Sequence, residues 1–232
     1  MYIVRNKMPT HLKQSKLLAR ESQKLKELLC SHKPFLKILP DNIKTKIVPH
    51  TKSKSSLKAS VLVPIVHIAN NQAPSILFTR RSSTLKNHPN EICFPGGHID
   101  EGEACLLQTA IRETKEELSP QSGYDMDHGL VIIGRTDDIP SARLIPVTPF
   151  VGYFREVFTE DDIQNIFPGN KSEVAHVFTV SLDELIETEG SEPLARLMID
   201  GPVYKTSKGK IWGLTALVLK RIIDEILSPI FF

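Results

Sequence analysis

The sequence predicts an α/β protein, with a mixed β-sheet sandwiched between helices in an α/β/α arrangement. Three observations point there. Short Val- and Ile-rich runs bounded by turn residues recur from residue 59 onward and read as strands. They lie on both sides of one stretch, 104–117, that holds no Gly or Pro and suits a helix. The chain then runs into 213–227, a helical pattern with one strongly apolar face. Strands flanking a central helix, with a further helix closing the chain, bury their apolar faces together in layers.

Taken in order, residues 1–58 read as a basic N-terminal helix and linker, and 59–232 as the compact domain. Leu17, Leu18, Leu25, Leu28 and Leu29 recur at helical spacing, and Pro34, Pro40 and Pro49 then break the chain ahead of a Lys/Ser/Thr run. Residues 59–69 read as a buried strand, Asn70-Asn71 as the turn after it and 75–80 as its hairpin partner. Ile92-Cys93-Phe94 is a short strand running into a glycine turn at Pro95-Gly96-Gly97. The helix that follows stops at Leu118-Ser119-Pro120, since proline cannot continue it. Residues 129–136 and 144–154 are strands joined by an Asp137-Asp138-Ile139-Pro140 turn. Residues 175–180 form another, leading into a short helix with Ser181 as N-cap and Glu184 at the capping-box position. A last strand is expected over 196–204, and no internal repeat is present.

The 232 residues suffice for one domain with a sizeable core plus an extension. The net charge of +2 conceals a segregation, because residues 1–58 carry +11 and the remainder −9. Three widely spaced cysteines, Cys30, Cys93 and Cys105, match no metal-finger pattern and argue for a reducing compartment. No stretch reaches the roughly 18 apolar residues of a membrane span, so no membrane partner is expected. The basic arm, poor in acids at its start, reads either as a mitochondrial transit segment or as a structural helix with a solvated lysine face. Without aromatic interleaving beyond Tyr2 and Phe35 it makes a poor nucleic-acid tail.

On a helix over 104–117, Glu113, Glu116 and Glu117 fall at i, i+3 and i+4 and stack on one stripe about a turn long. Like charges so placed repel by a few tenths of a kcal/mol per pair. Such a stripe is either a solvated face or a seat for a cation. Arg112 can reach Glu116 at i+4 and orient it, and Glu103, near the helix start, is placed to favour the helix dipole.

The stretch 97–118 resembles the Nudix box, G-x5-E-x7-R-E-U-x-E-E-x-G-U with U apolar. Gly97 and Glu103 match its opening, and Arg112, Glu113, Glu116 and Glu117 its end. Three departures stand out: eight residues rather than seven separate Glu103 from Arg112, Thr114 takes an apolar position, and Ser119-Pro120 replaces the closing Gly and apolar residue. Upstream, residues 76–82 with Lys86, Asn90 and Phe94-Pro95-Gly96-Gly97 resemble L-L-T-x-[RT]-[SA]-x3-R-x3-G-x3-F-P-G-G. That signature marks the coenzyme A pyrophosphohydrolase branch of the family, which also carries the longer spacing, an acid at the Asp100 position and a Thr-Ala pair, here Thr109-Ala110. Lys86 stands where that branch has Arg, and Asn90 where it has Gly.

The resemblance implies a Nudix-type α/β/α sandwich and a Mg²⁺- or Mn²⁺-dependent hydrolase. It would cleave coenzyme A or acyl-coenzyme A to 3′,5′-ADP and (acyl-)4′-phosphopantetheine. Carboxylates suit these hard ions. Glu113, Glu116 and Glu117 are the expected ligands, with a backbone carbonyl at Gly97. Arg112 and Glu103 are expected to complete the catalytic set, Arg80, Arg81, Ser82 and Lys86 to meet the nucleotide phosphates, and Glu173 to serve as base or extra ligand. His98 reads as a loop residue, and Ile211-Trp212-Gly213-Leu214-Thr215 mainly as packing. The alternatives are another nucleoside diphosphate derivative as substrate (NADH, ADP-ribose, an oxidised nucleotide), or a silent Nudix fold that binds RNA or protein. A homodimer is left open. The C-terminus is not the peroxisomal S-K-L address, which leaves mitochondrion or cytoplasm as the expected location.

Overall fold

β1 (Ala59–Ile68) is the strand on which the architecture is built. The computed structural model describes residues 57–194 and 199–228; the expected basic arm and most of the linker lie outside the described residues. Eight of the ten β1 residues are buried, the continuous apolar run of a strand covered on both faces. β7 (Pro146–Phe158) lies parallel to it, from Ala59 opposite Val147 to Ile68 opposite Phe158. β5 (Leu130–Arg135) and the two-residue β6 (Ile139–Pro140) pair antiparallel with β7.

On its other side β1 divides its partners. Its first residues pair with β4 (Gly96–His98), while Ile65 and Val66 pair with β2 (Ser75–Arg81). β2 continues between β3 (Ile92–Cys93) and β8 (Val174–Ser181). The sheet is therefore mixed, as the sequence predicts. β9 (Glu189–Leu194), β10 (Ile199–Thr206) and β11 (Gly209–Ile211) make a second, antiparallel sheet.

The helices cover both faces. Strand alternation sends Val63 and Ile65 of β1 into one layer with Phe78, Phe94, Phe178, Tyr204 and the apolar side of α5 (Gly213–Ile222). It sends Val66 and Ile68 into the other, with Leu118 of α1 (Leu106–Leu118) and Ile163 of α3 (Glu160–Ile166). Two short helices, α2 (Met126–Gly129) and α4 (Leu182–Glu187), join these elements. Ser181 caps α4 by accepting from the Glu184 amide, but Glu184 turns away to accept from the Ser207 amide, so the capping box is only half made. A π-helical turn, Ile223–Leu227, ends the closing helix.

Some elements differ from expectation. Gly96 and Gly97 are not a turn but a strand, because the bare glycine backbone packs directly on β1: a Cβ on Gly96 would collide with Ser60 O and Val61. β9, with its sequence EGSEPL, has no apolar alternation and exists through its backbone pairing with β10. α3, a helix not among those expected from the sequence, carries a full Thr159–Asp162 capping box.

Candidate active site

α1 carries four of the expected site residues, and Arg112 ties their surroundings together. Its Nε donates to Glu103 Oε1 at 2.9 Å and its Nη1 to Glu116 Oε2 at 3.0 Å. Its Nη2 donates to the His98 carbonyl at 3.3 Å and lies 3.1 Å from Glu113 Oε1 and 3.2 Å from Asp100 Oδ2. Glu103 also accepts from the Asp100 amide and from Thr109 Oγ1, at 2.8 and 2.7 Å. Arg112, with help from that amide and hydroxyl, holds the Glu103 carboxyl down to about 2. Glu103 thus closes the loop into α1. It stands two residues before the Cys105 N-cap and takes no first-turn amide, so the expected dipole role is replaced by a tie to Arg112.

Glu117 points inward and is 3% exposed. Its Oε2 accepts from Thr79 Oγ1 of β2 at 3.3 Å, and that hydroxyl also lies 3.2 Å from Cys93 Sγ. Burial pushes the Glu117 carboxyl up to about 8; the Arg81 charge opposes this, while Glu113 and Glu173 add to it. Glu113 is raised as well, chiefly by burial, with Arg112 opposing and Glu116 and Glu173 reinforcing. Its carboxylate lies over Gly97, where a Cβ would overlap both oxygens. Burial, and then Glu117, drive the Cys93 thiol up to about 11.

Glu173 reaches this centre through the backbone. The amides of Gly169 and Asn170 donate to Leu118 O and Glu117 O, satisfying two free carbonyls at the end of α1. The same loop then pairs Glu173 O with the Ser82 amide at 2.7 Å. Glu173, from a distant part of the chain, thereby stands close enough for its charge to act on Glu113 and Glu117, as that of Arg81 does on Glu117. Thr79 was not singled out in the sequence, although it fills the threonine of the second signature.

The remaining residues divide. Ser82 is buried with its hydroxyl 2.8 Å from Thr84 Oγ1, and Lys86 is exposed on the loop that follows. Arg80 lies on the opposite face of β2 from Thr79, its guanidinium 5.8 Å from the Phe178 ring centre. His98 is exposed and contributes its carbonyl to Arg112. Ile211 is fully buried and Leu214 packs on the main core, whereas Trp212 between them and Gly213 is 48% exposed.

The sequence profile of the NUDIX domain matches residues 58–200, more than half of the chain. The chain belongs to the Nudix family. "Uncharacterized Nudix hydrolase NudL" of Yersinia enterocolitica is 32% identical over 183 residues, 77% of this chain and 86% of the relative. NudL of Yersinia pestis is 31% identical over 192 residues, 81% of this chain and 87% of the relative. Among solved structures, a C. elegans Ap4A hydrolase binary complex aligns over 56% of this chain and 84% of its own, at 24% identity and a TM-score of 0.41. As a Nudix hydrolase, the protein is a pyrophosphohydrolase of nucleoside diphosphate derivatives.

The departures from the Nudix box have structural reasons. Thr114 occupies the apolar position fully buried, its hydroxyl silenced by donation to Ala110 O at 2.6 Å. Ser119 takes the glycine position in the left-handed conformation, φ 48°, and Asn90 does the same at φ 60° where the second signature has Gly. Asparagine tolerates that region better than most residues.

Among the described residues, no three His, Cys, Asp or Glu side chains are gathered so as to ligate one ion as they stand. Glu116 lies on Arg112, and Glu113 on Gly97 and Arg112. The donors nonetheless suit a divalent cation chemically. They are hard carboxylate oxygens, and burial, reinforced by neighbouring carboxylates, raises both Glu113 and Glu117 above the usual carboxylate range, a cost that a bound cation would offset.

Proposed function

We propose that the protein hydrolyses the phosphoanhydride of coenzyme A or its thioesters, releasing 3′,5′-ADP and (acyl-)4′-phosphopantetheine. Glu113, Glu116, Glu117 and the Gly97 carbonyl would hold Mg²⁺ or Mn²⁺. Such an ion supplies charge neutralisation at the phosphates and a more acidic attacking water. The observation that carries the reading is the Arg112 network. Asp100 and Thr109 are residues that the coenzyme A branch carries within the Nudix box; Asp100 pairs with Arg112, and Thr109 holds Glu103, which Arg112 also binds.

In the proposed reaction the water oxygen bonds to one phosphorus of the diphosphate. The bridging P–O bond breaks, and the bridging oxygen leaves on the other phosphate. Glu173 takes the proton from the water, its backbone fixed by Ser82 and Asn170. Arg112 orients Glu116 and Glu113, and Arg81 faces the substrate phosphates from β2. Thr79 holds Glu117 from below.

The test is kcat/KM on coenzyme A, acetyl-coenzyme A, NADH and ADP-ribose, with and without Mg²⁺. Coenzyme A substrates should lead. A preference of about tenfold or more for NADH or ADP-ribose would replace the substrate while leaving the chemistry. Glu116→Gln and Glu117→Gln should each remove metal-dependent turnover in a folded protein.

A further inference from the structure

We propose that Arg80 is a positioning residue, a clamp that fixes the loop carrying Lys86 to the turn between β10 and β11. The pleat of β2 separates the two adjacent arginines. Leu77 and Thr79 face α1, where Leu77 packs with Leu118 and Thr79 meets Glu117. Phe78 and Arg80 face the other layer, and the register against β8 shifts between Arg80 and Arg81. Arg80 is thereby turned from the carboxylates that Arg81 faces.

Its donors are committed elsewhere. Nη1 donates to Asn90 O at 3.2 Å, and Nη2 donates to Lys208 O. The plane lies against Phe178, and Gly209 comes so close that a Cβ there would sit 3.1 Å from Nη2 and 3.3 Å from Ile92 Cδ1. Asn90, held left-handed, ends the loop that carries Lys86; Lys208 and Gly209 form the β10–β11 turn. One guanidinium thus binds two carbonyls 118 residues apart, an arrangement that a rigid fork of donors achieves and a single ammonium does not. Arg80 sets where Lys86 stands, and so how the far end of an anionic substrate is met. It acts through the loop and not by touching phosphate.

Hydrogen–deuterium exchange of the free protein tests this, read as the ratio of rates in peptides covering 83–91 and 205–211 to the rate in α1. Arg80→Ala and Arg80→Lys should both raise the two ratios by about tenfold, the opening that follows loss of carbonyl hydrogen bonds. Gly209→Ala, which crowds Nη2, should raise the ratio for 83–91 although it lies outside that loop. In turnover, Arg80→Lys should raise KM for coenzyme A by about tenfold with kcat within about twofold. Wild-type exchange and KM in Arg80→Lys would mean that charge alone matters, and would overturn the clamp. So would a rise confined to one peptide, or no response of 83–91 to Gly209→Ala. The KM readout rests on the coenzyme A reading and the exchange readout does not, so failure of the one is distinguishable from failure of the other.

Discussion

Gly97 lies directly beneath the Glu113 carboxylate, with no room for a single added carbon between them. The relationship joins β4 to α1 and gives the glycine a reason apart from backbone freedom. Gly97→Ala should displace Glu113 by about an ångström and lower kcat by about 10²-fold. Far-UV circular dichroism should stay at wild type. An alanine variant with full turnover would separate Glu113 from the chemistry.

Arg112 holds its carboxylates through a planar fork, which lysine cannot reproduce. Arg112→Lys should therefore cost about 10–100-fold in activity, the usual range for a residue that orients ligands. Titration of Mg²⁺ dependence would check it. Unchanged kcat with unchanged Mg²⁺ affinity would show that the network is dispensable.

Glu117 gives a pH signature of unusual sign. Its carboxyl is raised to about 8 in the folded, metal-free protein, so the folded state binds a proton that the unfolded state releases above its ordinary pKa. Stability of the metal-free protein should fall as pH rises from about 4.5 toward 8. Glu117→Gln, or saturating Mg²⁺, should flatten that slope. Urea midpoints across this range in a chelator measure it, and a slope unaltered in Glu117→Gln would remove Glu117 as its source.

Glu103 has the opposite sign. Its carboxyl is held down to about 2, so its stabilising contribution is complete above the ordinary carboxylate pKa and is lost as pH falls toward 2. Glu103→Gln should lower the thermal midpoint at pH 7 and leave it close to wild type near pH 2. A deficit that persists at pH 2 would point to a packing effect instead.

Ser119 terminates α1 in the left-handed conformation at φ 48°. Ser119→Gly should relieve a strain of about 1 kcal/mol, seen as a higher urea midpoint. Asn90→Gly should gain less, since asparagine already suits that region. No gain in either variant would mean that the loops offset the strain.

Much of the architecture was legible in order. The Val/Ile runs at 59–69 and 175–180 are strands because burial on both faces leaves few polar positions to disguise them. The helix over 104–117 lacks breakers, and it is found one turn's fraction later, at Leu106–Leu118. What escaped were elements without a period of their own. β4 is two glycines and a histidine, and β9 carries Gly and Pro; their partners make them strands. The site was legible where a motif names it, while Thr79 and Cys93 read as ordinary strand residues until α1 is laid against them.

Local spacing determined by itself that Glu113, Glu116 and Glu117 share a helix stripe, that Arg112 reaches Glu116, and that charge divides between a basic arm and an acidic body. Spacing along one element does not say what packs on it. Only the tertiary structure made Glu117 the buried member and left Glu116 half exposed on Arg112, because β2 covers one edge of the stripe and not the other. Only it brought Glu173 beside them, through amides that satisfy the end of α1. Two adjacent arginines look interchangeable in the sequence; a pleat reverses their directions, and the layers packed on each face give Arg81 carboxylates and Arg80 carbonyls.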